Sequence, residues 1–260
     1  MKYLFEHWRK IERVLAKGQP VLFLDFDGTL SPIAPTPQEA LLPPAIKAKL
    51  KELSRRLQGR VAIVSGRSLK NLKRKVGLKG LMYVGNHGLE IEGPQLHYKV
   101  SAAGLAEKPL RLIKKMIRQE MRNIEGVFLE DKGLTLSFHY RNVRPKNAAL
   151  VLRTFKGIVR PYILEKKIKL NQGKKVFEIK PPIDWHKGRA VVWLMRRLGK
   201  GKKLIAIYIG DDTTDEDAFA ALKGRGISIA VGHRQRSQAT YFLKSQREVG
   251  RFLQKFTAIN

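Results

Sequence analysis

Two acidic residues stand two positions apart near the start of the chain. Asp25 and Asp27 follow the apolar run Val21–Leu24 and precede Gly28. In an extended segment residues i and i+2 lie on one face, so both carboxylates can reach one point. A glycine at the next position lets the backbone approach a ligand closely. The spacing predicts a site where two acids act on one ligand.

A second apolar run, Leu204–Ile209, leads into the acidic segment 210–217, which contains Asp211, Asp212 and Asp215. Seven of the 22 acidic residues lie in these two short segments, in a chain of formal net charge +30. Clustered carboxylates repel one another unless a cation or proton intervenes, and hard oxygen ligands suit Mg²⁺. One segment alone could be a solvated turn, but the pair predicts a single split site for a divalent cation.

The composition limits the class of protein. A chain of 260 residues that is 43% hydrophobic can form one large domain or two modest ones. The absence of cysteine excludes disulfides, thiolate catalysis and cysteine-based zinc sites. Charges throughout residues 1–17 argue against a signal peptide, and no uncharged apolar stretch approaches the roughly 20 residues of a membrane span. We therefore expect a cytoplasmic protein with no membrane partner.

The excess of basic residues permits two further interpretations. A domain with 52 lysines and arginines could bind nucleic acid. The basic runs are scattered over several predicted elements, however, and hold few aromatic residues for base stacking. Solvated basic faces are therefore the favoured explanation, followed by steering of an anionic substrate.

The elements that must position the acids form two kinds of pattern. In residues 1–88 and 182–260 short apolar strands alternate with helical periodicity, which is typical of α/β proteins with a doubly wound, Rossmann-like parallel sheet. Ligands of such sheets lie beyond the C-terminal strand ends, where these motifs stand. In residues 89–181 pairs of short strands with intervening helices predict an α+β module inserted into the first domain.

The motifs resemble those of the haloacid dehalogenase-like phosphohydrolases, and among them the trehalose-6-phosphate phosphatases. The resemblance covers the whole chain and implies a catalytic core with an inserted α+β cap domain, Mg²⁺ as cofactor and a sugar phosphate as substrate. It rests on these segments: DFDGTLSPI (25–33), SGR (65–67), GNHGLE (85–90), EDKGLTLSFHYR (130–141), the EIKP–HKG stretch (178–188) and GDDTTDEDAF (210–219).

The resemblance implies roles for five residues. Asp25 would be the nucleophile that forms an aspartyl-phosphate, and Asp27 would act first as general acid and then as general base. Ser65 and Lys187 would bind the phosphate oxygens. Mg²⁺ would be held by Asp25, by the backbone carbonyl of Asp27 and by Asp211.

Three of the polar residues keep structural alternatives. Asp212 and Asp215 would orient metal-bound water or Lys187, although Asp215 could instead stabilise a helix N-terminus. Ser65 could simply cap the helix that follows it. Arg67 could pair with an acid near the site.

The resemblance also implies sugar contacts, mainly from the inserted module. Sugar hydroxyls are recognised by carboxylates, amides and cationic donors. Glu90, Lys132 and Glu178 are the first candidates and Arg141 follows, whereas His139 is more typical of a structural residue. The alternative is that these residues form cross-strand pairs. The candidate substrate-binding residues are Arg67, His87, Glu90, Glu130, Lys132, Arg141 and Glu178.

These expectations converge on the Mg²⁺-dependent hydrolysis of trehalose 6-phosphate by a monomer, with any partner synthase on a separate chain. A close alternative keeps the chemistry and changes the sugar, to sucrose phosphate or a glycosyl-phosphoglycerate. Phosphotransfer to an acceptor other than water is a further alternative. A nucleic-acid-binding protein on an inactive hydrolase scaffold is disfavoured, because all the motif acids are present.

Overall fold

The structure is a computed structural model that describes residues 1–34, 36–173, 175–199, 201 and 203–259. Within these ranges the strands are β1 (Lys2–Tyr3), β2 (Gln19–Asp25), β3 (Val61–Val64), β4 (Met82–Gly85), β5 (Glu90–Gly93), β6 (Leu96–Lys99), β7 (Phe128–Asp131), β8 (Leu136–His139), β9 (Lys169–Gly173), β10 (Val176–Lys180), β11 (Leu204–Gly210), β12 (Gly226–Val231) and β13 (Tyr241–Leu243). The α-helices are α1 (Trp8–Leu15), α2 (Pro44–Arg56), α3 (Leu69–Val76), α4 (Glu107–Glu120), α5 (Pro145–Leu164), α6 (Lys187–Leu198), α7 (Glu216–Ala221) and α8 (Gln246–Ile259).

The larger sheet is the predicted parallel sheet. Its strand order in the described part of the chain is β1-β13-β12-β11-β2-β3-β4-β5-β6, and every pair from β1 to β4 is parallel. The two strands that carry the acidic motifs, β2 and β11, are direct neighbours, with Leu24 opposite Ile209. Parallel neighbours end at the same edge of a sheet, so this pairing brings the two acidic segments to one place.

The strands of this sheet are apolar on both faces. Along β2, Leu22 and Leu24 join one hydrophobic core, while Val21 and Phe23 join the core on the opposite face, as the two-residue period of a strand requires. Helices α1, α2, α3 and α8 contribute buried side chains to the first core, and α6 and α7 contribute to the second. Each fully buried large side chain contributes about 1.5–3 kcal/mol, which explains why the continuous apolar runs form central strands.

The chain divides into two compact units. Unit 1 consists of Met1–Tyr98 with Trp185–Asn260, and unit 2 is Lys99–Asp184. In unit 2 the described strands form an antiparallel sheet in the order β7-β8-β10-β9. Buried residues of α4 and α5 share a core with this sheet, in which Phe155 stacks on Phe138 at 4.3 Å and on Phe177 at 4.9 Å between ring centroids.

Unit 2 begins later in the chain than the inserted module that the sequence pattern predicted. The predicted module started at residue 89, but β5 pairs with β4 in antiparallel fashion, with Val84 opposite Ile91, and β6 follows in the same sheet. Short alternating strands at this position therefore extend the edge of the sheet of unit 1. No helix in the described ranges is long and apolar enough to cross a bilayer.

Candidate active site

The two acidic segments meet where β2 and β11 end. Asp25 is the last residue of β2, and Asp211 directly follows β11. Gly28 lies against Asp211 with a left-handed φ of +85°, and a Cβ at this position would overlap the Asp211 carboxylate. A glycine is therefore required here both for the turn and for the close approach. Thr29 adds a bond across the two segments, since its Oγ1 donates to Asp211 Oδ1 at 3.1 Å.

A lysine joins this acidic group from the start of α6. The Nζ of Lys187 donates to Asp25 Oδ1 at 2.7 Å and to Asp215 Oδ1 at 2.7 Å. Lys187 is 3% exposed, and the helix is anchored by Val191 and Leu194, which are buried against the sheet. Because the ion pairs are shielded from water, the Coulomb attraction within each pair is stronger than in a surface pair of equal length, while burial costs both groups their hydration.

Asp215 is fully engaged by hydrogen bonds. Its Oδ1 accepts from Lys187 and, at 2.7 Å, from the buried hydroxyl of Tyr208. Its Oδ2 accepts from the backbone N–H of Asp212 at 2.9 Å. Asp215 also stands at the N-terminus of α7, and its bond from Asp212 N is part of a capping box with Asp212. The same side chain therefore serves a helix terminus and orients Lys187. We call Asp25, Lys187, Tyr208 and Asp215 the core cluster.

The site carries more negative than positive charge. Burial raises the pKa of Asp25 well above its ordinary value. Lys187 lowers this pKa, and the carboxylates of Asp215 and Asp211 offset part of that lowering. Burial, reinforced by Asp215, likewise raises the pKa of Asp211 to about 6. Burial alone would lower the pKa of Lys187, but Asp215 and Asp25 reverse this and raise it. Lys187 thus stays charged, and the remaining acids favour a second positive charge.

The available oxygen atoms fit a hard divalent cation. Ligand atoms of Asp25, Asp211 and Asp215 lie within 4.8 Å of one another. Both oxygens of Asp215 already accept hydrogen bonds. Asp25 and Asp211 each keep one oxygen that accepts no hydrogen bond from the described residues. Carboxylate oxygens in this number suit Mg²⁺, which usually binds one or two carboxylates and keeps several waters.

Asp27 is held beside the core cluster by an arginine. The Nε of Arg67 donates to Asp27 Oδ2 at 2.8 Å, and its Nη2 donates to Oδ1 at 2.6 Å. Its Nη1 donates to Asn71 Oδ1 at 3.0 Å, and its guanidinium lies 5.3 Å from the centroid of the Phe26 ring. Such bidentate pairs fix the orientation of a carboxylate. The side chain of Asp27 is nonetheless 45% exposed, so it faces the space in front of the strand ends.

Ser65 follows β3 and lies beside the same strand ends. Its Oγ accepts from the backbone N–H of Arg67 at 3.1 Å, and its carbonyl accepts from the N–H of His87 at 3.0 Å. The N-terminus of α3 is capped by Ser68, whose Oγ accepts from Asn71 N at 3.3 Å. The alternative that Ser65 caps this helix is therefore wrong. The hydroxyl hydrogen of Ser65 remains available for donation to another partner.

Two further candidate residues follow β4: His87 lies in the turn, and Glu90 is the first residue of β5. The His87 ring packs over Gly66, and Glu90 Oε2 accepts from Asn86 Nδ2 at 2.6 Å. Asn86 is completely buried. The structure thus brings His87 and Glu90 into unit 1, next to the loop that follows β3.

The other sugar-binding candidates gather on one face of the sheet in unit 2. The register sets Glu130 of β7 and Glu178 of β10 on either side of Ser137 of β8. Lys132 Nζ lies 3.5 Å from Glu178 Oε1 and 4.0 Å from Glu130 Oε2. Lys180 Nζ lies 2.7 Å from Glu178 Oε2. We call these four charged residues, with His139, the unit 2 cluster.

His139 joins the cluster through its Nε2, which lies 3.5 Å from Glu130 Oε2. Its ring also packs on Phe128, with centroids 5.5 Å apart. Arg141 follows β8 at an exposed position. The carboxylates of β7 and β10 thus form the cross-strand arrangement of the alternative through one shared cation, Lys132, and their role as sugar contacts stays a prediction.

Several residues of the site escaped the sequence analysis. Thr29 belongs to the first acidic motif, but a threonine at this position did not by itself indicate a bond to the second motif. Tyr208 is the one phenol in the buried run of β11, and a buried phenol usually has a hydrogen-bond partner; this signal was available. Trp185 Nε1 donates to the carbonyl of Gly88 at 2.7 Å. Neither this bond nor the contact of Lys180 had a local signature.

The acids at the ends of the two adjacent parallel strands β2 and β11 thus meet a buried lysine from the start of α6, the helix that precedes β11. The chain has the fold of the haloacid dehalogenase-like hydrolases.

Comparison with known proteins narrows this class. The family model for trehalose-phosphatase matches residues 23–247. Probable trehalose-phosphate phosphatase D of Arabidopsis thaliana is 39% identical over 255 residues, which are 92% of this chain and 68% of that one. The trehalose-phosphate phosphatase of Mycobacterium bovis is 34% identical over 245 residues, 92% of this chain and 61% of that one. The C-terminal domain of C. albicans trehalose-6-phosphate phosphatase shares the fold, with a TM-score of 0.78, 20% identity and 96% of each chain covered. The chain belongs to the trehalose-phosphatase family.

Proposed function

We propose that the protein hydrolyses trehalose 6-phosphate to trehalose and phosphate, with Mg²⁺, through an aspartyl-phosphate on Asp25. The observation that carries the proposal is the buried contact of Asp25 Oδ1 with Lys187 Nζ at 2.7 Å, beside the Asp211 carboxylate. One oxygen of Asp25 is fixed by this contact, and the other remains for an electrophile. The substrate class is supported by the names of the relatives.

Mg²⁺ would be held by one oxygen each of Asp25 and Asp211 and by the backbone carbonyl of Asp27. Bound there, the cation supplies positive charge to the phosphoryl oxygens and to the attacking carboxylate. The fit rests on the two carboxylate oxygens that accept no hydrogen bond from the described residues. Asp215 is the weaker candidate ligand, because three donors already occupy most of the acceptor sites of its oxygens.

In the first displacement Asp25 attacks phosphorus, and the bond from phosphorus to the sugar oxygen breaks. Asp27 gives its proton to that oxygen, so that the sugar leaves as an alcohol. Lys187 donates to a phosphoryl oxygen. The hydroxyl proton of Ser65 is also available for donation, because its Oγ already accepts from Arg67 N. Fixed donors of this kind stabilise the charge of the transition state without reorganisation.

In the second displacement Asp27, now a carboxylate, takes a proton from water, and the water oxygen attacks phosphorus. The bond from phosphorus to Asp25 breaks, which regenerates both acids. Arg67 supports this step, since its two bonds to Asp27 keep the carboxylate at the strand ends.

For the sugar, the candidates are Glu130, Lys132 and Glu178 of the unit 2 cluster, with Arg141, and Glu90 in unit 1. The ion pairs of Lys132 are 3.5 and 4.0 Å long, so its ammonium can move to a sugar hydroxyl at small cost. Buried or half-buried polar groups of this kind reject analogues that leave them without a partner.

The experiment is phosphate release from a panel of sugar phosphates in the presence of Mg²⁺. We expect preference for trehalose 6-phosphate over sucrose 6-phosphate and glucosyl-3-phosphoglycerate, with activity lost in D25N and in chelator. D131N is the matched control, because this acid lies in unit 2 and pairs with Lys114. Preference for another sugar would keep the chemistry and reject the substrate, and activity that survives D25N would reject the mechanism.

A further inference from the structure

The start of α6 is tied to the turn after β4 by an indole. Trp185 stands two residues before Lys187, and its Nε1 donates to the carbonyl of Gly88 at 2.7 Å. Gly88 has a φ of +104°, and a Cβ on it would lie 2.8 Å from Ala190 Cβ and 3.1 Å from Trp185 Nε1. Only glycine therefore allows the turn to lie this close to the helix.

The same turn has an uncommon backbone conformation. Asn86 and His87 have φ values of 49° and 56°, in the left-handed region that residues other than glycine adopt uncommonly, Asn and His more often than most. Here the backbone N–H groups of Asn86 and His87 donate to the carbonyls of Arg67 at 2.7 Å and Ser65 at 3.0 Å. The turn is thus bonded to the Ser65 loop on one side and to Trp185 on the other.

The Trp185 ring has its own support. Its centroid lies 6.1 Å from that of Tyr98, which stacks on Trp193 at 4.3 Å. These ring contacts support the indole in the orientation in which its N–H meets the Gly88 carbonyl.

We propose that Trp185 is a positioning residue that sets the distance between Ser65 and Lys187. The inference rests on the proposed function, in which these two side chains donate to the phosphoryl group. Its physical basis is the connection from Trp185 through Gly88 and His87 to Ser65, while the backbone from Trp185 leads directly to Lys187. Without the indole N–H, the turn that supports Ser65 is free to shift relative to α6.

The test variant is W185F, which keeps an aromatic ring and removes the N–H. We expect it to bind inorganic phosphate, measured by calorimetry with Mg²⁺, about 3–10-fold more weakly, the effect of one lost hydrogen bond. The value of kcat should fall by a similar factor, because the phosphoryl donors act in the transition state. W193F is the matched control: it makes the same change in the same group of rings, and its N–H donates to no acceptor among the described residues. We expect W193F to behave as the wild type.

The outcomes separate this inference from the proposed function. If the wild type neither binds phosphate nor hydrolyses sugar phosphates, the proposed function fails. If the wild type does both and W185F equals W193F, the role of Trp185 is overturned. W185H retains a ring N–H and should recover part of the affinity for phosphate. If W185H binds phosphate as weakly as W185F, the loss comes from the size of the ring and not from the N–H, and the proposal is overturned.

A measurement on the wild type covers the case in which W185F does not fold. The three tryptophans give separate indole N–H signals in nuclear magnetic resonance spectra; W8F and W193F assign two of them, and the third belongs to Trp185. We expect the Trp185 proton to exchange more slowly with solvent than that of Trp193 and to shift when phosphate is added. A rapidly exchanging Trp185 proton that ignores phosphate would overturn the proposal.

Discussion

The core cluster and the unit 2 cluster are both groups of acids around a lysine, but they are built differently. Lys187 lies 2.7 Å from Asp25 and from Asp215, and the three side chains are at most 6% exposed. Lys132 lies 3.5 Å from Glu178 and farther from its other acid, and these side chains are 11–20% exposed. One lysine is locked in place, and the other is loosely shared.

The difference corresponds to the tasks that we propose. Groups that stabilise a transition state act best when they are fixed before the reaction and shielded from water. Groups that recognise a sugar must exchange one partner for another, which weak and partly hydrated pairs allow. The comparison therefore suggests that chemistry depends on the core cluster and recognition on the unit 2 cluster.

The largest expected effect is the loss of the core lysine. K187M leaves two buried acids without their counter-charge, and breaking a buried pair in this way costs about 3–5 kcal/mol of the free energy of unfolding. K132M should cost less, because Glu178 keeps its 2.7 Å pair with Lys180 and the side chain of Glu130 is 20% exposed. Urea denaturation of both variants gives the comparison, and equal losses would remove the distinction between the clusters.

The next effect concerns recognition. E178Q keeps the shape of the side chain and removes its charge, so we expect KM for trehalose 6-phosphate to rise about 10–100-fold, the loss of a charged hydrogen bond, with a smaller change in kcat. Hydrolysis of acetyl phosphate, which has no sugar, should be unaffected and serves as the internal control. A fall in kcat for both substrates would assign Glu178 to the chemistry instead.

The pH dependence of stability tests the charge of the core site. Burial and Asp215 raise the pKa of Asp211 to about 6, above its ordinary value of 3.8. A raised carboxyl pKa means that the folded state holds the proton more tightly, so its stabilising effect is complete below pH 3.8 and is lost as the pH rises to about 6. Without Mg²⁺, D211N should therefore be more stable than the wild type at pH 7 by roughly 1–3 kcal/mol.

The check is thermal unfolding across this pH range in chelator and with Mg²⁺. Mg²⁺ should stabilise the wild type above pH 6 and leave D211N almost unchanged, since only the wild type retains the ligand. A wild type that is insensitive to Mg²⁺ at pH 7 would contradict the assignment of Asp211.

The smallest effect is the loss of one hydroxyl. Y208F removes a donor from Asp215, which should cost about 1 kcal/mol of stability and lower kcat through a less firmly held Lys187. Y83F is the control, because Tyr83 is also buried and its hydroxyl donates to Leu78 O at 2.6 Å, with no contact to the core cluster. The two variants should lose similar stability, and only Y208F should lose kcat.

The sequence predicted the parallel sheet because both periodicity and turn residues are local signals. The runs that became β2 and β11 are continuously apolar, as buried parallel strands require. The acids after them were conspicuous in a basic chain. These features need no knowledge of which strand pairs with which.

What the sequence did not predict depends on contacts between distant residues. Trp185 and Gly88 are 97 positions apart, and nothing near either one indicates the bond. Strands β5 and β6 have the same short, alternating pattern as those of unit 2, and only their pairing with β4 assigns them to unit 1. The partners of the unit 2 cluster likewise follow from the strand register, which local patterns leave open.

The aspartyl-phosphate on Asp25 can be detected by mass spectrometry of the protein quenched in acid while it turns over trehalose 6-phosphate. We expect a phosphoryl group on the peptide that contains Asp25, present during turnover, gone when the substrate is exhausted, and absent from D25N. Phosphate release with no phosphoryl group on that peptide, or with the group on another residue, would contradict the role of Asp25.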